Sequence, residues 1–206
     1  MTAKIILPLA KRLRKWLAVG ALASVAAGVF FIMLLTLPLV VFEGDLLNGS
    51  VAITWYELKN YGEHVDHPGL TSITFLSIPV FTTAFFSISI GLLTIVKVSR
   101  SSMVSHTVVE LLLGALEACV IFTSVFYSLR LNVIHAVSVL PAQAGGAGSA
   151  GLLVIQGSAR RETFTSILIR QFYPLVFANI LLTILVVIIG YETARALEAA
   201  TMKEQV

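Results

Sequence analysis

The feature that most constrains this chain is the absence of charge over long stretches. Trp16–Phe42 and Leu70–Val96 carry no charged residue, Thr107–Leu129 carries only Glu110 and Glu117, and Phe164–Tyr191 carries only Arg170. Each stretch is longer than the ~20 residues a helix needs to cross a hydrocarbon core about 30 Å thick. Of the 206 residues, 12% are charged and 57% hydrophobic. A soluble domain carries roughly a quarter charged residues, so a water-soluble globule is excluded. The apolar stretches use up most of the length and leave no room for a separate globular enzyme domain.

The expected fold is an all-α integral membrane protein, a four-transmembrane-helix bundle treated as one domain over 1–206. Its spans are 16–42, 70–96, 107–129 and 164–191. Segments 1–15, 97–106 and 192–206 lie on one side, and 43–69 and 130–163 on the other. Met1–Lys15 is basic and precedes an apolar run, the layout of a signal peptide, but the run far outlasts a signal h-region, so a retained helix is expected. Pro38, Pro79 and Pro174 fall inside spans and predict kinks.

Basic residues set the orientation. Lys4, Lys11, Arg12, Arg14, Lys15, Lys97, Arg100, Arg195 and Lys203 fall on one side, against Lys59, Arg130, Arg160 and Arg161 on the other. The positive-inside rule places both termini in the cytoplasm and both large loops outside, in a multi-pass protein of the cell membrane. The net charge of +3 is accounted for by these flanks, and no basic patch interleaved with aromatics marks a nucleic-acid partner. Membrane lipids, further copies of the chain or other membrane subunits are the expected partners. The basic cluster beside the first span is read mainly as an orientation anchor, with contact to anionic headgroups following from the same charge.

The outer connections hold two strand-like runs, Val51–Tyr56 and Leu152–Ile155, which predict a small exterior β-sheet from the two loops. Asn132–Leu140 fits either an extension of the third helix or a strand. The Gly- and Ala-rich tract from Pro141 to Gly151 reads as a flexible loop in preference to a close-packing segment at an interface. Cys119 has no partner in the chain, so no intramolecular disulfide forms.

Four spans with a larger first outer loop resemble the layout of claudins and tetraspanins, in topology alone. A claudin first loop carries a Gly-Leu-Trp motif and a disulfide pair, and tetraspanins carry Cys-Cys-Gly. Here Trp55 stands alone and the loops hold no cysteine. No membership follows, and no residue role is carried over.

Two spans contain small residues at fourfold spacing, Gly20, Ser24 and Gly28 in the first and Thr83, Ser87 and Gly91 in the second. Residues four apart share a helix face, so each set predicts a groove for a neighbouring helix, within the bundle or between subunits. In the third span His106, Glu110, Glu117, Ser124 and Ser128 form one polar stripe. Glu117 falls near the bilayer centre, where a charged carboxylate is costly, and Asn179 on the fourth span is the expected hydrogen-bond partner, with Arg170 meeting polar groups nearer the outer side. The stripe reads either as interhelical bridging or as a proton or cation path. His106 and His135 are too far apart to ligate one haem iron.

Glu63-His-Val-Asp-His67 offers His64 and His67 as a weak metal candidate, but Pro68-Gly69 beside them favours a solvated acidic turn. No cofactor is expected. No Walker loop, nucleophile elbow or dinucleotide glycine motif is present. The expected function is therefore non-enzymatic, a tetraspan protein acting by association, with a channel or transport subunit as the alternative.

Overall fold

A computed structural model of the chain describes residues 6–38, 40–43, 47–52, 54–60, 62–64, 68–144, 159–162 and 172–204. In chain order these form β1 (Ile6–Pro8), α1 (Lys11–Thr36), β2 (Val40–Glu43), β3 (Leu47–Val51), β4 (Tyr56–Asn60), β5 (Glu63–His64), α2 (Pro68–Arg100), β6 (Met103–Ser105), α3 (His106–Ala144), β7 (Ala159–Glu162) and α4 (Phe172–Glu204). Four helices among the described residues are long and apolar enough to cross a membrane. Their exposed surface is rich in large apolar side chains, including Leu22, Phe85, Leu92, Ile121, Phe177 and Ile184. A soluble protein does not display so much apolar surface, whereas a lipid-facing one does.

The described residues divide into two compact units. The first comprises Met1–Phe31, Thr82–Thr123 and Val176–Val206. Its core is a stack of Leu13, Leu17, Ala21, Ala84, Leu112, Leu116, Cys119, Leu182 and Ile189. Of the small-residue stripes, Ser24 and Gly28 on α1 and Ser87 and Gly91 on α2 lie at close approaches between the two helices. The Ser24 hydroxyl donates to the Ser87 carbonyl at 2.8 Å. A methyl group at Gly28 would sit 2.7 Å from the Ala84 carbonyl, and one at Gly91 would sit 2.7 Å from that of Ala21. Gly20 instead meets Ile189, Leu112 and Leu116. Without a hydrophobic force between helices in lipid, such close backbone approach supplies the van der Waals contact that holds a bundle.

Near the start of α1 the chain is tied by its own backbone and by two arginines. β1 pairs antiparallel with β6, Ile6 opposite Ser105. Arg14 donates through Nε and Nη2 to the Val98 carbonyl at 2.9 and 2.6 Å. Because the last carbonyls of a helix lack intrahelical donors, this guanidinium serves as a cap for α2. Arg12 Nε lies 2.7 Å from Glu192 Oε1, and Glu192 is buried. Charge counting along the sequence reads Arg12 and Arg14 as part of the basic anchor beside the first span and does not single out Glu192.

The second unit comprises Ile32–Phe81 and Ser124–Leu175 and contains a five-stranded antiparallel sheet in the order β5-β4-β3-β2-β7. Among its described side chains Val40, Phe42, Val51 and Leu58 are buried. Gly49 lies between Phe42 and Leu58 in the register, with φ at 139° and the Glu57 carbonyl where a side chain would be. Only glycine fits both conditions.

The small sheet is present, yet its strands differ from the expected runs. Val51–Tyr56 is not one strand: Val51 ends β3, Tyr56 opposite it begins β4, and between them the Ala52 amide donates to the Trp55 carbonyl at 2.8 Å in the turn that joins the two. The side chains of this turn cap α1, where Thr54 Oγ1 and Trp55 Nε1 donate to the Leu35 and Thr36 carbonyls at 2.7 and 2.9 Å. Leu152–Ile155 lies outside the described residues. The first span also stops early. α1 ends at Thr36 rather than Phe42 because Pro38 disfavours helix at the residue before it and removes a donor. The apolar residues beyond it form β2. Thus Pro38 is a stop and not a kink, Pro79 lies inside α2, and Pro174 sits in the first turn of α4, where no hydrogen bond is lost. Asn132–Leu140 is helical, since α3 continues to Ala144. The expected Phe164 start of the fourth span lies outside the described residues, and the described helix runs from Phe172 to Glu204.

Candidate association surface on the third helix

The chemistry singled out by the sequence is built on α3, whose faces repeat in antiphase. Val109, Leu112, Leu116, Cys119 and Thr123 are buried, at spacings of three and four. Glu110, Gly114, Glu117 and Ile121 are exposed, at spacings of four, three and four. Side chains at such positions share one side of a helix, so the exposed set forms a continuous seam along the outside. A methyl group added at Gly114 would meet no atom within 4 Å. The seam is therefore open at its narrowest residue.

Glu110 and Glu117 of the expected polar stripe are exposed, and His106 is half-buried. His106 Nδ1 and Glu110 Oε1 lie 3.2 Å apart, one turn from each other, and the Glu110 side chain is 61% exposed. This pair carries opposite charges only when the imidazole is protonated. Glu117 stands about 16 Å further along the helix axis than His106 by the helical rise. With Val120, Ile121, Thr183, Val186 and Val187 it lines a shallow groove of about 260 Å³ between α3 and α4. Among the described residues, no cation and no hydrogen-bond donor reaches its carboxylate.

Asn179 does bridge α4 to α3, with acceptors other than the expected carboxyl group. Its amide nitrogen donates to the Val120 carbonyl and to Thr123 Oγ1, each at 2.8 Å, and the Thr123 hydroxyl in turn donates to the Val120 carbonyl at 2.7 Å. The reason is rotational phase. Thr123 belongs to the buried face of α3, whereas Glu117 lies on its exposed side, at the open groove beside α4. Depth along the helix is the same to within about two turns; the side of the helix is not. Buried on that inner face, Cys119 Sγ lies 3.3 Å from Ser87 Oγ.

The remaining candidates are dispersed. Arg170, His67 and the side chain of Ser128 lie outside the described residues. His64 is exposed on β5 opposite Lys59. Among the described residues, no three His, Cys, Asp or Glu side chains converge on a point where a metal ion would sit. Gly114 is the seam residue that sequence reading misses. Its signal is the fourfold and threefold spacing to Glu110 and Glu117. No protein-family model, no curated protein and no solved structure matches this chain.

Proposed function

We propose that this chain is a non-enzymatic tetraspan membrane protein that acts by association, with copies of itself or as a structural subunit of a larger membrane assembly. The observation that carries the reading is the exposure of Glu117 on the outer seam of an apolar helix. A carboxylate at the bilayer centre costs several kcal/mol by typical estimates, and such residues face protein or water rather than lipid. Inside the chain the inner face of α3 is buried, and Ser24, Gly28, Ser87 and Gly91 are taken up by the approach of α1 to α2. A second polypeptide laid along Glu110, Gly114, Glu117 and Ile121 provides the missing protein environment and fits the narrow waist at Gly114.

Native mass spectrometry of the detergent-extracted particle tests this. The wild type is expected to be larger than one chain, Glu117→Gln to keep the particle because an amide still hydrogen-bonds, and Glu117→Leu to release single chains. A monomeric wild type in every mild detergent and in nanodiscs rejects the reading.

The outward stripe also supports a second reading, a channel or transport subunit. In that case the polar route along Glu110 and Glu117 runs between subunits and not through one bundle. Proton or cation flux in proteoliposomes that vanishes in Glu117→Gln, with the particle intact, selects it over purely structural association, because the amide cannot ionise.

In both readings the termini are cytoplasmic, on the distribution of Lys and Arg. A cysteine introduced at Asn60 is expected to react with an impermeant thiol reagent in intact cells and one at Met202 to be protected. The reverse pattern inverts the orientation.

A further inference from the structure

A groove of about 400 Å³ lies between the first turns of α1 and the last turns of α2, lined by Lys11, Arg14, Lys15, Ala18, Leu22, Ile95, Val98 and Ser99. Its lining changes character along its length. Lys11, Lys15, Ala18 and Leu22 follow one another at spacings of four, three and four, so they form a single face of α1 that begins with two ammonium groups and ends in hydrocarbon. Ile95 and Val98 face them from α2. No carboxylate lines the groove, and among the described residues neither lysine has a carboxylate partner. Lys15 Nζ sits 5.9 Å from the centre of the neighbouring Trp16 ring, the kind of aromatic residue enriched at the headgroup level.

We propose that this groove seats one anionic phospholipid, with the headgroup phosphate between Lys11 and Lys15 and an acyl chain along Ala18, Leu22 and Ile95. Charge and polarity match such a molecule end to end. A phosphate requires cations at the mouth, and a chain requires an apolar floor below them, in that order along the membrane normal. Arg14 takes part indirectly. By holding the Val98 and Ser99 carbonyls at 2.6–3.3 Å, it neutralises the negative end of the α2 dipole that otherwise repels an anion there. The volume lies in the usual range of small-ligand sites. The inference needs α1 and α2 to cross a membrane, and it does not need the chain to associate.

The test uses the full chain in nanodiscs of phosphatidylcholine containing a minority of phosphatidylglycerol, released into native mass spectrometry. Wild-type protein is expected to retain phosphatidylglycerol over phosphatidylcholine by about tenfold beyond the bulk ratio, as two lysines near an anionic surface allow. Lys11→Gln/Lys15→Gln removes the preference. Leu22→Trp also reduces retention by filling the apolar floor, with all charges in place. Lys59→Gln, on the sheet, leaves retention unchanged. Should the double variant fail to fold, wild-type retention measured across salt gives the same answer, because the preference falls as the lysines are screened. Retention that follows bulk composition, or that neither groove variant changes, overturns the proposal. So does displacement of the lipid by millimolar glycerol 3-phosphate, which marks a free-phosphate site. The same spectra report subunit number. Single chains that retain phosphatidylglycerol reject association and keep the lipid seat, and larger particles without it do the opposite.

Discussion

The inner and outer faces of α3 are written in the same three-and-four rhythm with opposite chemistry. Inward lie Val109, Leu112, Leu116 and Cys119, all buried; outward lie Glu110, Gly114 and Glu117. In a water-soluble helix that arrangement needs no comment, since the polar face is solvated. On the proposed reading, with α3 flanked by lipid, the same arrangement reverses meaning: the apolar face is the finished one, and the polar face is the one a second polypeptide would complete.

The contrast is testable because substitutions on the two faces change different observables. The largest effect on the folded chain is expected at the small-residue crossing that supports the inner face. Gly28→Ile places a branched side chain against the Ala84 carbonyl and Ile88, and overpacking of this kind costs about 1–3 kcal/mol or more. Reversible unfolding in mixed micelles measures it, and unchanged stability breaks the claim that α1 and α2 meet there. Next comes Leu116→Ala, which opens a cavity on the inner face. With the water-to-oil part of the cost absent in lipid, the packing part leaves roughly 1–3 kcal/mol. Asn179→Leu removes two hydrogen bonds between α3 and α4, for which membrane double-mutant cycles suggest about 0.6–1.7 kcal/mol. Smallest is Ile121→Ala on the outer seam, expected to change single-chain stability by no more than about 0.5 kcal/mol. Its effect is expected in particle size instead. A loss of stability at Ile121 equal to that at Leu116 erases the distinction between the faces.

The spans are legible in the sequence, because a run without charge is a statement about solvent that survives any detail of packing. Their ends are less so. Val40-Val41-Phe42 reads identically as the last turn of a helix or as a buried strand, and only the Leu37-Pro38 break decides. The hairpin turn at Ala52–Trp55 reads as a strand for a related reason. Its Thr and Trp are strand formers by propensity, but the end of α1 uses them as hydrogen-bond donors. Spacing reveals the polar stripe, because it fixes which residues share a face, and says nothing of where that face points. Depth alone pairs Glu117 with Asn179. The missing information is the rotation of α3, set by the bulk of Val109, Leu112 and Leu116 on its inner side, and it emerges only when the helices are packed together.

The interior position of β2, between β3 and the edge strand β7, carries a consequence for the order of events during synthesis. One of its edges is satisfied promptly by β3, a few residues downstream. The other must wait for Ala159–Glu162, roughly 120 residues later. At about 5–20 residues per second this interval is on the order of ten seconds. Throughout it, Val40–Glu43 presents a bare ladder of amides and carbonyls, the kind of template that recruits a stray strand from a neighbouring nascent chain. The short length of β2, its terminal Glu43, and the speed at which β3 and β4 close around it are what limit that hazard until the last strand arrives.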